Sequence, residues 1–203
     1  MQQSSMCNGE QISRDARTSA TVIGSLYIAR GLCEALNRVC TATPTGVMLA
    51  FRCDGPWLRG RSAFPARELT WRDQRAVRQS GDEPFLHSYL QAARGRLPRE
   101  ETEVHTFGVV ERGRLLARCL TTWAPAGIER QIGTVWSVFT EPSARGQGLG
   151  RAVVAAATAA ILNSGRLARY FAFADNTPSL RICRSLGYSE DHAVRYFWAQ
   201  RRD

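Results

Sequence analysis

The segment that most constrains the fold is a glycine-rich turn between a predicted strand and the longest predicted helix. Apolar residues recur every four positions from Leu149 to Ile161, which predicts a helix over Leu149–Asn163. The stretch Gln131–Thr140 ahead of the turn is predicted to be a strand. The first N–H groups of a helix have no partner inside it, and the helix dipole favours an anion there. The sequence therefore predicts an anion-binding turn over Arg145–Arg151.

The glycines of this turn do not match the two commonest phosphate-binding motifs. No Lys-Ser/Thr pair follows them, which excludes a P-loop. Their spacing is G-x-G-x-G, and no acidic residue ends the next strand to bind a ribose, which argues against a dinucleotide site. A glycine-rich turn alone is also compatible with a purely structural loop, so a second motif is needed.

That second motif lies about 30 residues further along the chain. It comprises Asn176-Thr177-Pro178-Ser179, followed by Leu186-Gly187-Tyr188. Thr177 is a favourable N-cap and Pro178 suits the first helical position, so a short helix is predicted to reach about Ser185.

Together the two motifs resemble those of the GNAT superfamily of N-acetyltransferases. Arg145-x-x-Gly148-x-Gly150 is similar to the R/Q-x-x-G-x-G/A turn of that superfamily, and the Asn-x-x-Ser and Leu-Gly-Tyr segments resemble its next motif. The resemblance covers about residues 130–199 and extends back to about residue 67. It implies an α/β fold with a mixed, mostly antiparallel sheet, flanking helices and a V-shaped splay between two central strands.

The resemblance also implies acetyl-coenzyme A as cofactor, with coenzyme A as product. The pantetheine arm is expected to pair with the backbone of Val138, Phe139 and Thr140, and a backbone N–H there polarises the acetyl carbonyl. Asn176 and Ser179 match positions that bind the pantetheine region, although a turn residue and a first-turn helix residue are the structural alternatives. The residues expected to hold the pyrophosphate are Arg145, Gly146, Gln147, Gly148, Leu149, Gly150 and Arg151.

The catalytic residues are less distinct. Many members of the superfamily have a Tyr where this chain has Cys183, so Cys183 is a candidate general acid and Tyr188 and Tyr196 are possible substitutes. Buried packing is the alternative for Cys183 and Tyr188. Glu129 is the candidate general base, and a surface carboxylate is its alternative. Glu103, His105, Asp175 and deprotonation through water remain open for the same step.

The N-terminal part of the chain is not covered by the resemblance. Residues 1–18 are polar and expected to be frayed, a helix is predicted over Thr21–Arg38, and Val47–Cys53 is predicted to be a strand. We therefore expect an accessory segment over residues 1–64 and the acetyltransferase domain over residues 65–203. At the start of the second of these, Glu68–Trp71 is predicted to be a strand and Asp73–Gln79 a helix.

Composition limits the partners and the compartment. The 203 residues carry a net charge of +9, and all 27 basic residues are arginine, so the chain attracts a phosphorylated cofactor and leaves nucleic acid open as a less favoured partner. The six cysteines form no C-x-x-C pair and the three histidines are scattered, so no metal site is expected. Without an apolar run of about 20 residues or a secretory signal, the sequence predicts no membrane association and a cytoplasmic location. A homodimer is left open.

The sequence thus favours acetyl transfer to a primary amine, expected to belong to a small molecule, by direct attack on the thioester. One alternative is an acetyltransferase that acts on a protein amine or on the amino group of an aminoacyl-tRNA. The other is a non-catalytic module that binds acyl-coenzyme A or nucleic acid.

Overall fold

The structure, a computed structural model, describes residues 5–7, 10–15, 19–25, 40–55, 64–79, 103–123 and 131–201. Two single-turn 3-10 helices lie at Trp71–Asp73 and Pro142–Ala144. The α-helices in these ranges are α1 (Gln74–Gln79), α2 (Leu149–Asn163) and α3 (Thr177–Ser185). The strands are β1 (Ser5–Cys7), β2 (Glu10–Asp15), β3 (Ser19–Ser25), β4 (Cys40–Cys53), β5 (Arg67–Glu68), β6 (Glu103–Glu111), β7 (Arg114–Trp123), β8 (Ile132–Thr140), β9 (Leu167–Phe173) and β10 (Ser189–Arg201).

The chain divides into two compact units. The first contains the chain up to Ala50, Phe171–Thr177 and the residues from Glu190 onward. The second contains Phe51–Tyr170 and Pro178–Ser189.

The second unit is built on a mixed sheet with the strand order β9-β8-β7-β6-β5. Strands β5 to β8 pair antiparallel, whereas β8 and β9 pair parallel. The hairpin between β6 and β7 turns at Arg112 and Gly113, both with positive φ, which fits the twist of a tight hairpin. The predicted mixed, mostly antiparallel sheet is confirmed.

The parallel pairing of β8 with β9 is short. It runs from Ile132 opposite Leu167 to Val135 opposite Tyr170, and β8 then continues to Thr140. Over those last residues β8 still pairs with β7, where Thr140 lies opposite Ala117. This early end of the parallel pairing fits the splay between central strands that the sequence predicts.

Helices pack on both faces of this sheet. Successive side chains of β7 point to opposite faces, so Cys119 and Leu120 face different helices. The Cys119 thiol donates to the Val153 carbonyl of α2 at 3.3 Å, whereas Leu120 packs with Val77 of α1. The boundaries predicted for α2 are confirmed at both ends.

Helix α2 approaches the sheet most closely at Gly133 of β8. A Cβ atom added there would lie only 2.6 Å from Ile161 Cγ2 of the helix. Glycine therefore sets the spacing between this strand and the helix.

In the first unit the strand order is β1-β2-β3-β10-β4. Strand β3 pairs antiparallel with β2 and with β10, where Val22 lies opposite Phe197. At the edge, β1 pairs antiparallel with β2.

Two predictions for this unit are wrong. Residues 1–18 are not frayed throughout, because Ser5–Cys7 and Glu10–Asp15 are paired strands. The helix predicted from Thr21 is a strand up to Ser25, since its β-branched residues pair on both sides and tertiary pairing overrides the apolar periodicity. The remainder of that prediction, residues 26–38, lies outside the described residues.

Other predicted elements are present in the structure, although their ends differ from the prediction. The strand predicted over Val47–Cys53 is confirmed as the second half of β4. The strand predicted over Glu68–Trp71 is shorter and is followed by a 3-10 turn, because Thr70 caps that turn in a capping box with Asp73. A division of the chain at residue 64 stays a prediction. No helix in the described part of the chain is both long and apolar enough to cross a membrane.

Candidate active site

A β-bulge interrupts β8 immediately after its pairing with β9 ends. Leu120 lies opposite Trp136 and Arg118 lies opposite Phe139, so one residue of β7 faces two residues of β8, Ser137 and Val138. Ser137 has φ 51, a left-handed conformation that costs a non-glycine residue about 1 kcal/mol. A strained residue persists only where its surroundings hold it, and such residues concentrate at functional sites.

The Arg118 side chain holds this bulge. Its Nη1 donates to the Ser137 carbonyl oxygen at 2.6 Å and to the Ser137 hydroxyl at 2.9 Å. The guanidinium carbon lies 5.4 Å from the centre of the Phe139 ring, a cation–π distance. Arg118 is only 5% exposed, so a positive charge is buried beside the bulge.

Three residues predicted to meet the pantetheine arm lie on or beside the bulge. Val138, Phe139 and Thr140 are all half-buried and close the C-terminal end of β8. The structure therefore brings them together with Arg118, which the sequence analysis did not single out. An arginine within an apolar strand was the available signal, because burial of its charge requires nearby acceptors.

The predicted anion-binding turn follows directly. Gly148 is the N-cap of α2 in a left-handed conformation with φ 87, and no side chain caps the helix. The first helical bond runs from the Ala152 N–H to the Gly148 carbonyl at 3.0 Å. The N–H groups of Leu149, Gly150 and Arg151 precede that bond, so they are the helix-terminal donors that suit an anion.

The surroundings of these donors fit a pyrophosphate. The turn from Arg145 to Gly148 is exposed, and a Cβ added at Gly146 or Gly148 would meet no atom within 4 Å. Gly150 lies deeper, where a Cβ would sit 3.1 Å from Thr140 Oγ1, so the turn packs tightly on the end of β8.

Two arginines flank the turn. Arg145 is exposed, and its Nε donates to the Thr140 carbonyl at 3.2 Å, which ties the turn to the end of β8. Arg151 is half-buried, and its Nε donates to the Ser185 hydroxyl of α3 at 3.2 Å. Both charges therefore lie next to the helix-terminal donors, and Gln147 is exposed between them.

The two predicted pantetheine-binding side chains lie in different surroundings. Asn176 is exposed, and its backbone N–H donates to the Phe173 carbonyl at 2.9 Å. The Ser179 hydroxyl is half-buried and lies 2.7 Å from the Tyr170 hydroxyl. Their roles toward a cofactor stay predictions.

Cys183 is completely buried in α3. Burial, the largest cause, raises the pKa of its thiol to about 12, so the thiol stays neutral at physiological pH. A thiol this weakly acidic is a poorer proton donor than an ordinary cysteine. Its role as general acid stays a prediction.

Tyr188 is 5% exposed, and its hydroxyl lies 2.7 Å from Thr158 Oγ1 of α2. Its ring meets that of Tyr170 edge to face at 6.0 Å between centroids. Burial raises the pKa of the Tyr188 hydroxyl well above its ordinary value. These contacts describe a packing aromatic, and a catalytic role for it stays a prediction.

Glu129, the candidate base, lies outside the described residues. His105 and Trp123, by contrast, are well placed on β6 and β7. His105 Nδ1 lies 2.6 Å from Glu68 Oε1, and its ring packs on Trp123 with centroids 4.2 Å apart. His105 pairs with Thr121, and Thr121 pairs with Val135, so the His105–Glu68 pair lies two strands from β8.

A mixed sheet, mostly antiparallel with one parallel pair and flanked by helices, is the fold that the resemblance to GNAT acetyltransferases implies, and solved GNAT structures share it. Residues 108–198 match the family model described as FR47-like protein. The chain has the fold of GNAT acetyltransferases, and residues 108–198 of it resemble an FR47-like domain.

Solved structures agree with this fold assignment. The chain is similar to an acetyltransferase of the GNAT family from Colwellia psychrerythraea, with 15% identity, a TM-score of 0.62 and coverage of 91% of this chain and 65% of that one. It is similar to a tandem GNAT protein of the clavulanic acid biosynthesis pathway, with 16% identity, a TM-score of 0.64 and coverage of 91% and 64%. It is also similar to a GCN5-related N-acetyltransferase from Sphaerobacter thermophilus, with 18% identity, a TM-score of 0.59 and coverage of 93% of this chain and 62% of that one.

The chain spans less than two thirds of each of these three solved proteins. At such low identities the likeness concerns the fold alone. No curated protein matches the chain significantly.

Proposed function

We propose that this protein is an acetyl-coenzyme A-dependent N-acetyltransferase that transfers the acetyl group to a primary amine of a small molecule. The observation that carries the proposal is the uncapped N-terminus of α2, with its open glycine turn directly after the bulged end of β8. The match of residues 108–198 to the FR47-like family model and the GNAT-like fold support the same chemistry.

In this proposal the chain's own residues bind and orient. The N–H groups of Leu149, Gly150 and Arg151 bind the cofactor's pyrophosphate, and Arg145 and Arg151 add positive charge. The backbone of Val138, Phe139 and Thr140 pairs with the pantetheine arm. Acetyl-coenzyme A supplies an activated thioester, which a neutral amine attacks directly.

Proton transfer is the least specified step. The attacking amine must lose a proton and the departing thiolate must gain one. Cys183 and Tyr188 stay candidate acids, and Glu129 stays the candidate base. The burial of both candidate acids favours a proton route through water. The cytoplasmic location and a homodimer also stay predictions of the sequence.

The first test is calorimetric titration of the whole chain with acetyl-coenzyme A and with coenzyme A. Gly148→Asp places a carboxylate in the turn and is expected to abolish binding by charge repulsion. Gly113→Asp is the matched control, because Gly113 also has positive φ and open space around its Cβ but lies in the β6–β7 hairpin. Absence of binding to the wild-type chain, or equal loss in both variants, would contradict the proposal.

The acceptor is identified by a second measurement, thiol release from acetyl-coenzyme A in the presence of a panel of small amines. Binding without thiol release for any amine would favour the non-catalytic alternative. Thiol release only with aminoacyl-tRNA, at a rate that falls steeply as the salt concentration rises, would favour the alternative of an aminoacyl-tRNA acetyltransferase. The net charge of +9 keeps that alternative open.

A further inference from the structure

We propose that Arg118 is a positioning residue that orients the Ser137–Val138 peptide so that the Val138 N–H donates to the acetyl carbonyl. This inference rests on the proposed function and assigns a role to a buried charge that the cofactor motifs do not include. It is carried by the geometry of the bulge rather than by any contact of Arg118 with the thioester.

Arg118 sets the direction of the Ser137–Val138 peptide. Arg118 Nη1 binds the Ser137 carbonyl oxygen at 2.6 Å, which fixes where that carbonyl points. The peptide bond is trans, so its carbonyl and the following N–H point in opposite directions. The Val138 N–H therefore points away from the guanidinium of Arg118.

Arg118 also makes the bulge rigid. The left-handed Ser137 is an unfavourable conformation, and a free bulge would relax from it. Arg118 binds both the carbonyl and the hydroxyl of Ser137, so the two acceptors of one residue are fixed by one nitrogen. The Phe139 ring packs against the same guanidinium, and this contact limits movement of the Arg118 side chain along the strand. The bulge is thus held in one orientation before any ligand arrives.

The charge of Arg118 also strengthens the Val138 N–H as a hydrogen-bond donor. A charged donor on the Ser137 carbonyl polarises the whole peptide, which strengthens the N–H on its other end as a hydrogen-bond donor. Such a donor acts most strongly where charge develops on a carbonyl oxygen during attack. Because Arg118 is 5% exposed, water screens its effect little.

The test uses a spectroscopic readout that does not need the acceptor. The carbonyl stretch of isotope-labelled acetyl-coenzyme A is recorded by difference infrared spectroscopy when bound to the whole chain. The wild-type protein is expected to shift this band to lower frequency than in water, because the N–H polarises the bond. Arg118→Met is expected to lose most of that shift while cofactor affinity changes much less.

Three further variants keep the test decisive. Arg114→Met, an exposed arginine of the same strand, is expected to leave the band unchanged. Ser137→Ala keeps the carbonyl acceptor and is expected to retain most of the shift. If Arg118→Met does not fold, Arg118→Lys retains a buried charge on a shorter donor and is expected to show a reduced shift.

The kinetic expectation is a fall in kcat of about 10²-fold for Arg118→Met with the best amine, because misplacement of the donor costs about that much. A wild-type band position in folded Arg118→Met, or in folded Arg118→Lys, would overturn the inference while leaving the proposed function intact. Failure of the wild-type chain to bind acetyl-coenzyme A would instead overturn the proposed function. The two failures are therefore distinguishable.

Discussion

The hydroxyl of Tyr188 donates to Thr158 Oγ1 across the 2.7 Å that separates them. The direction of this bond follows from Thr158, whose single hydroxyl proton is donated to the Val154 carbonyl at 2.7 Å. The Tyr188 proton therefore points into the core between α2 and the segment after α3. In this arrangement Tyr188 is part of the packing that holds the turn-bearing helix.

Tyr188→Phe is accordingly expected to lower the free energy of unfolding by about 1 kcal/mol, the usual net value of one buried hydrogen bond. The Thr158 hydroxyl keeps its bond to Val154, so no new buried group loses its partner. Urea denaturation measures the stability, and thiol release measures the rate, which is expected to change little. A rate loss of more than about tenfold at unchanged cofactor affinity would instead support the general-acid role that the sequence predicts.

The buried thiols predict that the stability of the fold falls in the alkaline pH range. Burial, the largest cause in each case, raises the pKa of Cys53, Cys119 and Cys183. In the unfolded chain a thiol loses its proton near pH 8.5, whereas the folded state retains it. The unfolded state then binds fewer protons, so stability falls as pH rises, by about 1.4 kcal/mol per pH unit for each fully protected thiol.

Urea midpoints measured between pH 7.5 and pH 9 test this expectation, since tyrosines in the unfolded chain lose their protons mainly above that window. Alkylation with iodoacetamide followed by peptide mass spectrometry provides the residue-level control. The peptides that contain Cys53, Cys119 and Cys183 are expected to be modified only after unfolding, because all three are buried. Modification of Cys183 in the native state would show an accessible thiol and would strengthen its candidacy as an acid.

The glycine-rich turn and the helix that follows it were predictable because their signals are local. Glycines at fixed spacing, an apolar stripe with a four-residue period and a proline after an N-cap each act within one element, and α2 was predicted with both ends correct. The bulge at Ser137 was not predictable, since serine carries no preference for positive φ and its conformation comes from Arg118 on the neighbouring strand. Burial of Arg118 depends on the same tertiary pairing.

The helix prediction at Thr21–Ser25 was wrong because pairing with distant strands, rather than local signals, decides the structure there. Apolar residues there fit a helical period, but Thr21, Val22 and Ile23 are β-branched and pair with β2 and β10. A partner strand more than 150 residues away in the sequence decides the outcome, as with Val22 opposite Phe197. Short apolar runs of this kind are ambiguous until their partners are known.

The Arg67–Asp73 pair predicts that the stability of the fold depends on pH in the acidic range. Two hydrogen bonds of 2.9 and 2.6 Å join the guanidinium to the carboxylate, which also accepts the Thr70 N–H at 2.8 Å. The bond from Arg67 is the largest cause that lowers the pKa of Asp73. Its stabilising effect is therefore present above the unfolded pKa of about 3.9 and is lost as pH falls toward the lower folded value.

Asp73→Asn is expected to cost about 1 kcal/mol at neutral pH, mainly through loss of the cap on the turn before α1. Because the Arg67 side chain is 54% exposed, solvent screening keeps the ion pair itself a small contribution. Thermal unfolding of the variant is expected to depend less on pH below about pH 4 than that of the wild type. Glu111→Gln, at an exposed carboxylate of the β6–β7 hairpin, is the control, and an equal effect there would contradict a specific role for Asp73.

The close approach of Gly133 to Ile161 predicts a strong coupling between strand β8 and helix α2. In Gly133→Ala the new Cβ would lie 2.6 and 2.7 Å from two carbons of Ile161, a fully buried side chain that has no space to move into. Overpacking of this kind costs about 1–3 kcal/mol. Ile161→Ala alone is expected to cost about 2–5 kcal/mol, because it leaves a cavity.

The double variant distinguishes a direct contact between residues 133 and 161 from two independent effects on packing. Removal of the Ile161 branches makes room for the alanine methyl, so Gly133→Ala with Ile161→Ala is expected to be more stable than the sum of the single effects by about 1 kcal/mol or more. Gly133→Ala combined with Val77→Ala on the α1 side of the sheet provides an additive control, since that pair shares no contact surface. Additive behaviour of the Gly133–Ile161 pair in urea denaturation would mean that the strand and the helix can move apart, and α2 would then be a less rigid support for the glycine-rich turn at its N-terminus.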